Sequence, residues 1–314
     1  MSRHAFVFPG QGSQSVGMGL ELFEAFPVAK AVFQEVDDAL GQHLSTLMFE
    51  GDPAELTATE NAQPALFAVS MAVVRVLESE GGCRLADKAE CVAGHSLGEY
   101  SALAAAGVLS LSDGARLLRL RGQAMQRAVP VGEGGMAALI GVEPEKAREL
   151  CRAAAWDGVL ELANDNGGGQ IVVSGSMDSI DRVIALAKDT GVKRAVKLPV
   201  SAPFHSSLME PAAKEMAQAL TRVMLEDAEI NVMPNVTVKP TREAELFRKH
   251  LVEQITGQVR WRETVLSFAE SGITHQHELG AGKVLTGLGR RIAPDLVADF
   301  AGTPTEIDAM LKAL

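Results

Sequence analysis

Gly94-His95-Ser96-Leu97-Gly98 is a Gly-x-Ser-x-Gly motif in a setting that suits a nucleophile. It follows Glu90-Cys91-Val92-Ala93, an apolar run that reads as a buried strand. It precedes residues 99–106, which read as a helix stopped by Gly107. On such a strand–turn–helix the serine projects from a sharp bend, and the unpaired N–H groups of the new helix face any anion beside it. The glycines remove Cβ atoms where the chain turns most tightly. The plain alternative is a tight turn that happens to contain a serine.

A serine nucleophile needs a base within hydrogen-bond reach. Of the seven histidines, His4 and His43 have no supporting context, His250 lies on a charged helix, and His95 sits on the turn pointing away from Ser96. His275 and His277 alternate on a strand, and a zinc reading of that pair lacks further ligands. His205 follows Pro203-Phe204 at the end of a predicted strand, where sites gather in α/β sheets. It is the favoured base, against an ordinary surface-loop histidine. No Asp or Glu stands out as a third member. A backbone carbonyl at a helix end can orient an imidazole instead, and the helix carrying Gln254 offers one.

A third feature is a misplaced charge. On a helix starting near Ser112 and ending at Pro130, Gly114, Leu117, Leu118, Arg121, Ala124, Met125 and Ala128 share one face. Arg121 therefore sits inside the apolar stripe, where a guanidinium is costly unless it meets an anion. A structural ion pair, a snorkelling side chain and a ligand anion all remain open.

These groups need an α/β frame, and the totals allow one. The chain has 314 residues, 47% hydrophobic and 22% charged, enough for one large domain or two ordinary ones. Only 4% are aromatic, so the core must be aliphatic. A net charge of −11 argues against a general nucleic-acid binder. Three cysteines without C-x-x-C spacing disfavour metal and disulfide frameworks and fit a reducing cytoplasm. The start has no signal-peptide layout, and the longest apolar stretch, around residues 102–109, is too short to span a bilayer.

Along the chain, residues 5–8 read as a first strand running into Pro9-Gly10-Gln11-Gly12. Neither phosphate-loop pattern fits: Ser15 stands where a dinucleotide fingerprint needs glycine, and Met18 where a nucleotide loop needs lysine. The glycines are expected to cap a helix from about Val16. Residues 20–80 read as helical. After a glycine-rich break at 131–135 comes strand 136–141, helix 144–155, strands 159–163 and 170–174, helix 177–190 and strand 194–200. That βαββαβ order is the ferredoxin-like plan. Residues 131–199 are thus expected to form a small inserted subdomain, with 1–130 and 200–314 as a large α/β subdomain. Helices at 211–224 and 243–256, strands at 230–233 and 273–279, and a last helix after Gly282 complete the reading. Gln254 shares a face with Phe247 and Leu251, so it points inward.

With these pieces in place, the chain resembles the malonyl-CoA:acyl carrier protein transacylases over nearly its whole length. The resemblance rests on Phe8-Pro9-Gly10-Gln11-Gly12-Ser13-Gln14, Gly94-His95-Ser96-Leu97-Gly98-Glu99-Tyr100-Ser101, Arg121-Gly122-Gln123-Ala124-Met125-Gln126, Pro203-Phe204-His205-Ser206, Val252-Glu253-Gln254-Ile255 and Glu278-Leu279-Gly280-Ala281-Gly282-Lys283-Val284-Leu285. It implies a hydrolase-like core with a mostly parallel sheet and a ferredoxin-like insertion. It implies Ser96 as nucleophile, His205 as base, and the backbone N–H groups of Gln11 and Leu97 as oxyanion hole. Arg121 would bind the malonyl carboxylate, and the Gln254 carbonyl would orient His205. The substrates implied are malonyl-CoA and the phosphopantetheine thiol of acyl carrier protein in fatty acid synthesis. No cofactor, metal, nucleic acid or membrane is expected, and the chain is expected to be a cytoplasmic monomer. A basic rim for the acidic carrier is expected from Lys193, Arg194 and Lys197 with Lys283, Arg290 and Arg291. A serine hydrolase of esters or thioesters is the alternative enzyme, though it leaves Arg121 unexplained. A non-catalytic carrier-docking subunit is the alternative outside enzymes.

Overall fold

The computed structural model describes residues 2–314. In chain order, β1 (His4–Phe8) is followed by α1 (Leu20–Ala25), α2 (Pro27–Leu40), α3 (Leu44–Glu50), α4 (Pro53–Thr57) and α5 (Thr59–Gly81). Then come β2 (Ala89–Gly94), α6 (Gly98–Ala105) and α7 (Leu111–Ala128). The middle of the chain forms β3 (Gly134–Ile140), α8 (Pro144–Ala155), β4 (Leu160–Asp165), β5 (Gln170–Ser176), α9 (Met177–Ala187) and β6 (Arg194–Lys197). The remainder is α10 (Glu210–Leu220), β7 (Asn231–Met233), α11 (Ala244–Thr256), α12 (Trp261–Glu270), β8 (His275–Leu279), α13 (Val284–Ile292), β9 (Val297–Ala301) and α14 (Pro304–Leu311).

Five strands form one parallel sheet in the order β7-β2-β1-β8-β9. All five residues of β1 are buried, because helices cover both faces of the sheet. One face packs on α5 and α6, and α2, α7 and α10 extend the same core behind them, with Phe6, Phe33, Phe67 and Tyr100 in it. The other packs on Trp261, Val265 and Phe268 of α12 and on Leu285 and Leu288 of α13. The second sheet is antiparallel, ordered β4-β5-β3-β6, with α8 and α9 over one face. Its strands, with the intervening helices, reproduce the ferredoxin-like order expected from the sequence. It is tied to the large sheet's surroundings through β4. Val259 exchanges backbone bonds with Ala163 and Asp165 at 2.8 and 2.9 Å, and Arg262 pairs with Asp165 at 2.8 Å.

Several expectations require correction. The first helix begins at Leu20 rather than near Val16, because Gly17 and Gly19 adopt φ of 92° and 83°, which only glycine holds readily. The helix after Gly282 is not the last element. β9 and α14 follow it, and β9 was hidden by its half-exposed edge position, with Asp299 and Phe300 side by side. Helix α12 went unread although Trp261, Val265 and Phe268 recur at helical spacing. The most apolar long segment is α5, not residues 102–109. Among the described residues it is the one helix long and apolar enough, by length and composition, to cross a membrane, and 83% of that window is buried inside the protein.

Close approach of elements decides where the site forms. A Cβ on Gly98 would stand 2.3 Å from the Phe8 carbonyl oxygen, so α6 begins directly against the end of β1. A Cβ on Gly122 would stand 2.6 Å from Glu60 Cα, so α7 seats Arg121 against the start of α5. Gly98→Ala is therefore expected to cost about 3 kcal/mol in urea denaturation. Gly287→Ala, at an exposed position of α13 with no atom within 4 Å of the new Cβ, should instead add about 0.5–1 kcal/mol.

Candidate active site

Ser96 sits at the carboxyl end of β2, between strand and helix, with φ of 53°. A non-glycine residue in this left-handed region costs on the order of 1–3 kcal/mol and persists only where its surroundings impose it. Here Asn235 imposes it. Its Oδ1 accepts the Ser96 N–H at 2.8 Å, and its Nδ2 donates to the Gly94 carbonyl at 2.7 Å. The Ser96 N–H is thereby committed. The next one, of Leu97, donates to no acceptor among the described residues, and the same holds for the N–H of Gln11 on the loop after β1. Both residues line the cavity that contains Ser96.

His205 also has positive φ, 58°, and is buried. Its Nε2 lies 2.8 Å from Ser96 Oγ. Its Nδ1 lies 2.9 Å from the Gln254 carbonyl and 3.1 Å from that of Gly257. Carbonyls only accept, so Nδ1 carries the hydrogen and Nε2 is the acceptor for the serine O–H. The Gln254 carbonyl is available because it belongs to the last turn of α11, where helical partners run out. No carboxylate bonds the ring. Burial, and after it the Arg121 charge, push the imidazole down to about 3, outweighing the pull of the two carbonyls.

Arg121 is 2% exposed and pairs with no carboxylate among the described residues. Neutral oxygens hold it instead. Nη1 donates to Gln63 Oε1 at 2.7 Å, and Nη2 to Gln254 Oε1 at 2.8 Å and to Ser96 Oγ at 3.1 Å. Its Nε has no partner. A buried guanidinium without a counter-ion, beside a serine in a cavity, has the chemistry to receive an anionic ligand. Of the readings left open for Arg121, the internal ion pair and the snorkelling side chain are absent from the structure.

The cavity measures about 280 Å³ and combines these groups with apolar Leu97, Met125, Met136, Phe204 and Val200. A second lobe of about 200 Å³ shares Gln11, His95, Asn164 and Leu198 with it and runs between the antiparallel sheet, at Ala138, Gln170 and Val172, and α13. A larger hollow of about 320 Å³ lies beside Gly17, Gly19 and Gly280–Gly282, away from Ser96 and without a histidine. We place the chemistry in the smaller cavity, because the nucleophile, base and guanidinium converge there. His95 points away from Ser96 as expected, its Nε2 bonded to Asn166 Oδ1 at 2.9 Å. His277 bonds His4 at 2.8 Å and Asp299 at 2.5 Å, toward the opposite edge of the sheet. No group of three or more metal-ligating side chains occurs among the described residues.

Sequence reasoning missed Gln63, Glu99 and Asn235. Gln63 carried a signal, an amide just before Pro64 where the long apolar run of α5 begins. Asn235 follows a short strand with nothing to mark it, and Glu99 looked like an ordinary first-turn acid.

The parallel sheet, the serine elbow and the base are the parts of an acyl-transfer enzyme. A family model described as an acyl transferase domain matches residues 5–286. The chain is an acyltransferase. The malonyl CoA-acyl carrier protein transacylase of Bacillus subtilis (strain 168) is 42% identical over 315 residues, covering 100% of this chain and 98% of that protein. Its Escherichia coli (strain K12) counterpart is 41% identical over 312 residues, covering 99% and 100%. The acyl-carrier-protein-S-malonyltransferase structure from Bartonella henselae superposes with a TM-score of 0.97 at 53% identity over 99% of both chains. A complex of a type II PKS acyl-carrier protein with its malonyl-transacylase contains a chain with TM-score 0.96 and 40% identity over 100% of both. The chain belongs to the malonyl-CoA–acyl carrier protein transacylase family.

The depressed His205 pKa sets a pH expectation. A lowered pKa keeps the imidazole neutral, and so able to accept a proton, until the pH falls far below the usual histidine range. The rate of acyl-enzyme formation should hold level from about pH 8 to about pH 5. In Arg121→Met the acid limb should move upward, because a neighbouring positive charge is gone. A wild-type limb near the ordinary value of about 6.5 would contradict this.

Proposed function

We propose that the protein moves a malonyl group from malonyl-CoA to the phosphopantetheine thiol of acyl carrier protein through a malonyl-Ser96 ester. The observation that carries the reading is the meeting of Ser96 Oγ with His205 Nε2 at 2.8 Å and Arg121 Nη2 at 3.1 Å in one cavity.

In the first half, Ser96 Oγ attacks the thioester carbonyl while its proton passes to His205 Nε2. The N–H groups of Leu97 and Gln11 receive the oxyanion, each worth roughly 3 kcal/mol in the transition state. The C–S bond breaks, and His205 returns the proton to the CoA sulfur. In the second half the carrier thiol gives its proton to His205 and attacks the Ser96 ester. The C–O bond breaks and Ser96 regains the proton. Arg121 holds the free carboxylate of the acyl group, turning from its neutral partners to a charged one. The lobe between the antiparallel sheet and α13 takes the pantetheine arm, its asparagines facing the arm's amides.

The same reading puts the carrier against the rim at β6 and α13, with a smaller basic set than the sequence suggested. Lys197 is paired with Asp181 at 2.6 Å, and Arg290 is spent on the Ala298 carbonyl at 2.7 Å. Lys193, Arg194, Lys283 and Arg291 remain exposed. Lys283→Glu with Arg291→Glu should raise KM for the carrier and leave KM for malonyl-CoA unchanged. Equal rises in both would count against docking there.

The test of the reaction offers radiolabelled malonyl-CoA with and without carrier protein. Label should accumulate on the carrier. Label found only as free malonate would establish a hydrolase instead. Arg121→Ala should lower the preference for malonyl over acetyl by about 10–100-fold, the worth of a charge-assisted bond of about 1.5–3 kcal/mol. An unchanged preference would remove the anion role.

A further inference from the structure

The mechanism leaves one buried acid unused. Glu99 lies one helical turn beyond Ser96, fully buried. Its Oε2 accepts the Asn235 backbone N–H at 3.0 Å and Gln254 Nε2 at 2.8 Å. Its Oε1 has no partner. We propose that Glu99 is a positioning residue for acyl selectivity: by fixing which way the Gln254 amide faces, it presents Arg121 to the substrate carboxylate.

The two ends of that amide meet unlike partners. Gln254 Nε2 faces only acceptors: Glu99 Oε2 at 2.8 Å, the Ser96 carbonyl at 3.0 Å and Asn235 Oδ1 at 3.5 Å. Gln254 Oε1 faces a donor, Arg121 Nη2, at 2.8 Å. Turning the amide over would set oxygen against three oxygens and an NH2 against a guanidinium. Glu99 supplies the shortest of the three bonds that prevent this. Without it only the longer bonds to the Ser96 carbonyl and Asn235 hold the amide nitrogen, and the acceptor that keeps Nη2 toward Ser96 is less firmly placed.

The protonation state of Glu99 does not undo this. Burial pushes its carboxyl up to about 7, against the bonds from Asn235 and Gln254 and the Arg121 charge. Oε2 already accepts two hydrogen bonds, so a proton resides on Oε1, and Oε2 remains an acceptor in both states. A glutamine at this position has the same layout, with its oxygen in the place of Oε2 and its NH2 in the place of Oε1. The requirement is an oxygen at the right reach rather than a charge.

The inference rests on Arg121 as the reader of the carboxylate, and the test separates the two. The measurement is the ratio of kcat/KM for malonyl-CoA over acetyl-CoA in wild type, Glu99→Gln, Glu99→Asp and Arg121→Ala. Glu99→Gln should keep the ratio within about threefold. Glu99→Asp keeps the charge but falls one methylene short of Gln254, and should lose about tenfold, the worth of one net hydrogen bond. Retention of the ratio in Glu99→Asp, its loss in Glu99→Gln, or failure of Glu99→Gln to fold would each overturn the proposal. An unchanged ratio in Arg121→Ala removes the premise and the inference with it. A loss in Arg121→Ala with none in Glu99→Asp defeats Glu99 alone.

Discussion

A guanidinium out of water needs oxygens around it, and Arg121 has three, all neutral: Gln63 Oε1, Gln254 Oε1 and Ser96 Oγ. They take bonds from Nη1 and Nη2, leave Nε unpartnered among the described residues, and do not cancel the charge, so the cavity keeps a positive potential where an acyl carboxylate would lie. That charge also keeps the His205 imidazole neutral, together with burial. The arrangement depends on Gln254 more than on any other residue. Its carbonyl orients the base, its amide nitrogen holds the Ser96 carbonyl, and its amide oxygen holds Arg121.

Two of the four described non-glycine residues with positive φ meet at the same place. Ser96 and His205 both carry positive φ, and each is pinned from outside its own element. Asn235 clamps the backbone at Gly94 and at Ser96 itself. His205 sits in a loop held by Ser206 Oγ on the Pro203 carbonyl at 2.7 Å and by α11 through the imidazole. The parallel sheet makes this affordable in physical terms: β1 and β2 end side by side, and the glycines at 94 and 98 let loop, elbow and helix meet without side chains between them.

Much of this was legible in the sequence because it is local. The elbow announces itself through glycine spacing between a strand and a helix. Arg121 does so by breaking an apolar stripe, and the second, antiparallel sheet through its element order. Gln254 was read as inward-facing from helical periodicity, but only its carbonyl was assigned a partner. What stayed hidden is tertiary. Glu99 lies on α6, buried on all sides, so periodicity could not say which neighbours it meets. Asn235 comes from a loop 139 residues away from Ser96. The edge strand β9 alternates too weakly to be told from a turn.

The central claim is that Ser96 carries the acyl group while Arg121 holds its far carboxylate. The most direct measurement is peptide mass mapping of enzyme quenched after mixing with malonyl-CoA, repeated after adding carrier protein. The account predicts a malonyl adduct on the peptide bearing Ser96, absent in Ser96→Ala and discharged to the carrier in the second step. An adduct on another residue, or transfer to the carrier with full efficiency in Ser96→Ala, would contradict it.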